Sequence, residues 1–144
     1  MLTTETEHIF ASKAQAFCRL VSARAGEDEA VVVTLPSEID VTNVSVITAQ
    51  PRAAMDSGAS AVIADLTGTT FCDVAAARSM LCAHRYATAR DVLFRVASSS
   101  AVVLRIFDVL EFSHHLAIYP SVTIALMPPR PNTSTAGPGS RQMR

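Results

Sequence analysis

A chain of 144 residues with 49% hydrophobic and 17% charged side chains can bury one compact core, which excludes a disordered polypeptide. Its formal net charge of −1 lacks the basic excess typical of a nucleic-acid binder. Cys18, Cys72 and Cys82 are odd in number and form no C-x-x-C pair, so reduced, buried thiols are expected rather than a disulfide framework or a zinc site. The opening MLTTETEHIF has neither a basic n-region nor an apolar h-region, and no apolar run approaches the ~18 residues of a membrane span. The expectation is a soluble cytoplasmic protein with no membrane insertion and no nucleic acid among its partners.

Residues 1–15 read as an N-terminal extension. AFCRLVSARAG (16–26) alternates loosely as a strand whose phase is ambiguous, EDE is a polar turn, and AVVVTL (30–35) is a β-branched run typical of a buried strand. PSEIDVTN (36–43) reads as a loop with several capping residues. VSVITAQPRAAMDSG (44–58) has helical spacing with Val46, Ile47 and Met55 near one face, and Pro51 predicts a kink or a late start. SAVIADL (60–66) is a second buried strand, TGTT a turn, and FCD a strand end.

Residues 74–88 are predicted helical, with Ala77, Met80, Leu81 and His84 at i, i+3, i+4 and i+7 as the core-facing stripe. DVLFRVAS (91–98) is a strand. SSAVVLRIFDVLEF (99–112) is a helix with Ser99 or Ser100 as N-cap and Val102, Ile106 and Leu110 inward. LAIYPS closes the pattern as a short strand and SVTIALM as a helical turn. From Pro128 the chain turns rich in Pro, Gly, Ser and Thr, which predicts a disordered tail over 128–144.

Strands alternating with helices predict a single α/β domain over 16–127 with a partly parallel sheet. No G-x-G-x-x-G or G-x-x-x-x-G-K-[ST] loop is present, so no nucleotide site is supported and no cofactor is expected.

Three stretches then carry a family resemblance. VVVTLPSEIDVTN resembles the strand plus G-E-L/I-D segment of STAS domains, the sulfate-transporter and anti-sigma-factor-antagonist family. AVIADLTGTTFCDVAAARSMLCAHRYA looks like that family's V-x-x-D-L-x-x-V-x-F-x-D-S-S-G-L-x-x-L segment. DVLFRVASSSAVVLRIFDVLEFSHHLAIYPSVTIAL is similar to its closing strand, helix and short strand. The match covers roughly residues 17–127. It implies a mixed, mostly parallel sheet with helices packed mainly on one face. It also implies a bacterial signalling module in transcription regulation that binds an anti-sigma factor or related serine-kinase-like protein, with no catalysis of its own and a homodimer as a possible assembly.

In antagonist-type members a Ser just after the loop Asp is phosphorylated, which adds roughly −1.5 to −2 charges and turns binding off. On the alignment that places Asp73 on the family Asp, Val74 takes the position of that Ser, Ala75 the second Ser, and Ala76 the Gly. Val74 has no hydroxyl, so the position is degenerate as a phosphorylation site. Arg78 stands where a small residue is frequent, and Ser37 replaces the Gly of G-E-L/I-D while Glu38 and Asp40 remain.

The resemblance therefore implies a partner-binding surface of Glu38, Asp40, Asp73, Val74, Ala75, Ala76 and Arg78. The residues also allow plainer roles: Asp73 as a helix N-cap, Glu38 and Asp40 as loop acids, Arg78 as a solvated cation. Thr69, Thr70 and Ser79 are hydroxyls near the turn with turn or helix-surface roles open to them. His114 and His115 are adjacent and do not converge on one ion, and His84 beside Cys82 does not form a nucleophile pair, so neither a metal site nor a catalytic residue is expected. Two other classes stay open from sequence. One is a non-catalytic STAS subunit of a lipid-transport or signalling complex; the other is a small ligand-binding α/β domain or enzyme.

Overall fold

The β-branched run at 30–35 lies inside a six-stranded sheet, where both of its faces are covered. A computed structural model describes residues 7–11, 17–25 and 28–127, and the side chains of 29–127. The chain runs β1 (Glu7–Ala11), β2 (Phe17–Ala25), β3 (Asp28–Thr34), β4 (Glu38–Ile39), α1 (Val44–Asp56), β5 (Ala61–Asp65) and β6 (Phe71–Cys72). It continues through α2 (Val74–Ala89), β7 (Leu93–Ala97), α3 (Ala101–Val109), a 3-10 turn (Phe112–His114), β8 (Ala117–Tyr119) and α4 (Val122–Leu126). The tail expected over 128–144 and the side chain of Cys18 lie outside the described residues.

The sheet order is β1-β2-β3-β5-β7-β8. β1–β2 and β2–β3 are antiparallel, whereas β3–β5, β5–β7 and β7–β8 are parallel. β1 falls within residues 1–15 and forms one edge of the sheet. Each parallel connection passes through a helix, as parallel pairing requires.

Period-two alternation sorts the strand side chains between the two faces. Val31, Val33, Val62, Ala64, Phe94 and Val96 join Ile47, Met55, Ala77, Met80, Val103 and Phe107 in the main core, so α1, α2 and α3 share one face. Val32, Ile63 and Ala97 point the other way and pack with Ala125 of α4. The helices thus lie mainly on one face, with the short α4 on the other. Arg95 is buried on that second face, and its Nη1 donates to the carbonyls of Ala125 at 2.7 Å and Met127 at 3.4 Å, which ties α4 to β7. None of the described helices is long and apolar enough to cross a membrane.

Several local expectations shift. The helix of residues 44–56 begins at Val44 and continues through Pro51, whose ring is buried with Ile47, Ala54 and Met55; Val46 is only half-buried. In α2 the inward residues are Ala76, Ala77, Met80, Ala83 and Ala87, while Leu81 and His84 lie half-buried at the edge of the stripe. Alanines carry this face because the helix packs close to its neighbours, and Ala gives a weak periodic signal. In α3, Ser100 is the N-cap and its side chain accepts from the Val103 N–H, but Val103 and Phe107 point inward and Val102 is 54% exposed. The run AVVLRIFDV is apolar almost all round, so its phase was set by packing rather than by pattern. α3 also stops at Val109, followed by Glu111 in the left-handed region at φ 62°, which ends the helix before the predicted Phe112.

Candidate functional site

Two strands of two residues each assemble the candidate surface. β4 and β6 pair in parallel, with Glu38 opposite Phe71 and Ile39 opposite Cys72. Alternation turns Ile39 and Cys72 into the core and leaves Glu38 and Phe71 outside. The pairing extends at both ends: the Thr70 N–H donates to the Ser37 carbonyl at 2.8 Å and the Asp73 N–H to the Ile39 carbonyl at 3.2 Å. The Thr69 hydroxyl, fully buried, donates to the Pro36 carbonyl at 2.8 Å. Residues 36–43, expected as a loop, therefore contain a short strand, and that strand fastens the Asp40 segment to the Asp73 turn.

Asp73 is the N-cap of α2. Its backbone is extended, and its Oδ1 accepts from the Ala76 N–H at 2.9 Å, satisfying a donor that the first helical turn leaves free. Asp40 is organised by its own loop. Its Oδ1 accepts from the Thr42 hydroxyl and from the Thr42 N–H at 2.9 Å, and the hydroxyl bond first, then the backbone bond, holds its carboxyl below the usual range. Asn43 closes the loop from the other side: its Oδ1 accepts from the Asp40 N–H and its Nδ2 donates to the Glu38 carbonyl, both at 3.0 Å. That engagement explains why Asn43, at the N-cap position of α1, makes no side-chain cap bond.

The expected surface residues thus come from two segments held in one unit. Val74 is 44% exposed, Ala75 half-buried and Arg78 exposed, one helical turn beyond Val74 on the same face. Ala76 points inward, and only its backbone N–H takes part, through Asp73. Two apolar residues not singled out from sequence lie on the same two segments: Phe71 and Val41 are 46% and 68% exposed. Phe71 was legible in principle, since a half-buried strand FC must send one of its two side chains outward. Val41 carried no such signal, because its exposure depends on the Asp40–Thr42–Asn43 loop geometry.

Among the nearby hydroxyls, Ser79 donates to the carbonyl of Ala76 at 2.6 Å and is half-buried, and Thr70 is exposed with a long 3.3 Å bond to the Ser37 carbonyl. Burial, and then the neighbouring Asp73 charge, push the Cys72 thiol up to about 11, so it stays protonated and unreactive at neutral pH. His114 lies in the 3-10 turn and His115 follows it as the C-cap. Among the described residues no three of His, Cys, Asp and Glu are grouped as metal ligands. What the arrangement offers is a rigid, partly apolar surface rimmed by Glu38, Asp40, Asp73 and Arg78.

The family model described as STAS domain matches residues 22–125. An anti-sigma factor antagonist from Mycobacterium paratuberculosis superposes with a TM-score of 0.63 at 15% identity, covering 85% of this chain and 92% of the other. The anti-sigma factor antagonist SpoIIAA in its unphosphorylated form gives 0.60 at 21% identity, covering 76% and 92%. An anti-sigma-factor antagonist (STAS) domain protein from Planctomyces limnophilus gives 0.59 at 18% identity, covering 86% and 97%. At these identities the structural likeness establishes the shared fold. No curated protein sequence matches the chain significantly.

Proposed function

This chain belongs to the STAS domain family, and we propose that it acts there as a protein-binding regulatory module of the anti-sigma factor antagonist kind, without catalysis and without a phosphorylation switch at the Asp73 turn. Its partner is an anti-sigma factor or a related serine-kinase-like protein. The observation that carries this reading is the position of Val74: an exposed residue with no hydroxyl, directly after the capping Asp73 and beside the loop that β4 and β6 fasten to it.

Such a surface suits docking for physical reasons. Its backbone is held by hydrogen bonds between the two segments, so little conformational entropy is lost when a partner binds. Phe71 and Val74 supply apolar area, with Val41 from the adjoining loop, and the charged rim sets orientation more than affinity. Asp73 is already committed to the helix terminus and leaves the helix N-terminus without a further acid. Binding is then constitutive, governed by the amount of protein or by ligands of the partner.

The test uses the absent acceptor. After incubation with an anti-sigma-type serine kinase and ATP, intact mass and peptide mapping are expected to show no phosphate within residues 73–79. Stoichiometric phosphate on Ser79 would overturn the loss of the switch at this turn. Thr69 is buried, so Thr70 is the hydroxyl on the approach to the turn that a kinase can reach, and stoichiometric phosphate there would likewise show that the switch had moved.

A further inference from the structure

The outer face of α2 carries cations and no acid. Val74, Arg78, Leu81 and Arg85 stand at i, i+4, i+7 and i+11, which places them in one stripe along the helix. Arg78 and Arg85 are exposed and Leu81 is half-buried. The sequence holds no Asp or Glu between Asp73 and Asp91. Among the described residues the ion pair found is Arg90 with Asp56 at 3.0 Å, so Arg78 and Arg85 have no carboxylate partner there. This is a local excess of positive charge on a chain whose formal net charge is −1.

The stripe ends beside an open depression of about 400 Å³ whose wall includes Leu81, His84, Arg85, Thr88 and His115. The Nδ1 atom of His84 is buried with no hydrogen-bond partner. The Thr88 hydroxyl is turned back onto the His84 carbonyl at 2.9 Å and the His84 Nδ1 is covered, so the exposed Arg85 and His115 side chains are the groups left to meet a ligand. Every ionisable group in this wall is a base.

We propose that the stripe continues the docking surface along α2 and that its occupant is an acidic amphipathic segment of the partner polypeptide. Apolar side chains of that segment meet Val74 and Leu81, and its carboxylates meet Arg78, Arg85 and the His84–His115 depression. This inference rests on the Asp73 turn being the partner-binding surface, and adds the chemistry of what binds there. A polypeptide is favoured over a small free anion because apolar and cationic residues alternate along about 16 Å of helix from Val74 to Arg85. The depression is also open and partly apolar, unlike a cradle of converging donors.

The probe is a fluorescein-labelled helical peptide of about 16 residues with Leu and Glu placed to mirror the stripe, measured by fluorescence polarisation against the full chain. Saturable binding is expected with Kd below about 1 mM at low salt, weakened when salt rises from about 0.05 M to 0.5 M. Arg85→Glu is expected to weaken it about tenfold or more, since it places like charges in contact. Arg105→Glu, on the exposed side of α3, is expected to leave it unchanged. Should Arg85→Glu fold poorly, Arg85→Ala takes its place, with a smaller loss expected. No saturable binding, equal binding by the peptide with Lys in place of Glu, equal effects of the Arg85 and Arg105 variants, or full displacement by excess inorganic phosphate would each overturn the proposal. Because the probe is a peptide, such a failure leaves the reading of the Asp73 turn standing; that reading is decided with the kinase-like partner itself.

Discussion

Val74→Asp is expected to leave the melting temperature within roughly 3 °C of the wild type and to weaken partner binding about tenfold or more. The two halves of this expectation have separate causes. At the first position of α2 a carboxylate meets the positive end of the helix dipole, a favourable term of about 0.3–1 kcal/mol. Repulsion from the neighbouring Asp73 opposes it. Val74 is 44% exposed, so little core packing is lost. At an interface the same carboxylate replaces an apolar contact and, by pairing with Arg78 one turn on, takes that cation from the partner, and losing a desolvated charge contact of this kind commonly costs ~2–5 kcal/mol. Titration calorimetry with the partner, beside melts of both proteins, separates the two effects. An unchanged affinity would remove Val74 from the interface.

Phe107→Ala is expected to do the reverse, costing about 3–5 kcal/mol of stability while leaving the binding chemistry of the folded fraction intact. Phe107 is fully buried in the main core and, among the described residues, is the largest of the fully buried side chains. Truncation removes the ring's burial and leaves a cavity that the surrounding side chains fill only in part. Against a typical total of about 5–15 kcal/mol, that is a large fraction. Denaturant unfolding measures it as a lower midpoint at similar slope. A loss below about 1 kcal/mol would mean that α3 does not seat Phe107 in the core.

The two variants also mark what could be read from the residues. The sheet was legible because AVVVTL, SAVIADL and DVLFRVAS carry short apolar runs bounded by turn residues, which favour buried strands. Asp73 and Ser100 were legible as caps because a short acceptor before an apolar helix satisfies free N–H groups. The inward phases of α2 and α3 were legible only in part: Ala77 and Met80 are buried as expected and Ile106 and Leu110 pack against the core, but Leu81, His84 and Val102 do not turn fully inward. In α2 five small or flexible residues make the contact face, and four of them are Ala, whose weak hydrophobicity lets Leu81 and His84 dominate the apparent pattern. In α3 Val102 and Val103 are chemically alike, and tertiary contact alone decides that Val103 turns inward.

The site divides in the same way. Glu38, Asp40, Asp73, Val74 and Arg78 could be singled out from the family resemblance, and the structure brings their two segments into one unit. What fastens them, a pair of two-residue strands, is too short for any periodicity to register. Val41 was missed for a related reason: its exposure follows from the hydrogen-bonded loop around Asp40, a conformational fact, whereas the outward turn of Phe71 follows from alternation along the short strand. The basic stripe on α2 is different. It is written in the sequence as an acid-free interval containing Arg78, His84 and Arg85, but its meaning depends on knowing which face of the helix is covered.

The partner is expected to cover the Asp40 loop, the Asp73 turn and the start of α2. Amide hydrogen exchange on the full chain, free and saturated with the proposed anti-sigma-type partner, measures that coverage. Slowed exchange is expected at residues 38–42 and 70–79, with no change at the edge strand β8 or at α4 on the second face of the sheet. Protection confined to β8 and α4, with residues 38–42 and 70–79 exchanging as in the free chain, would contradict it.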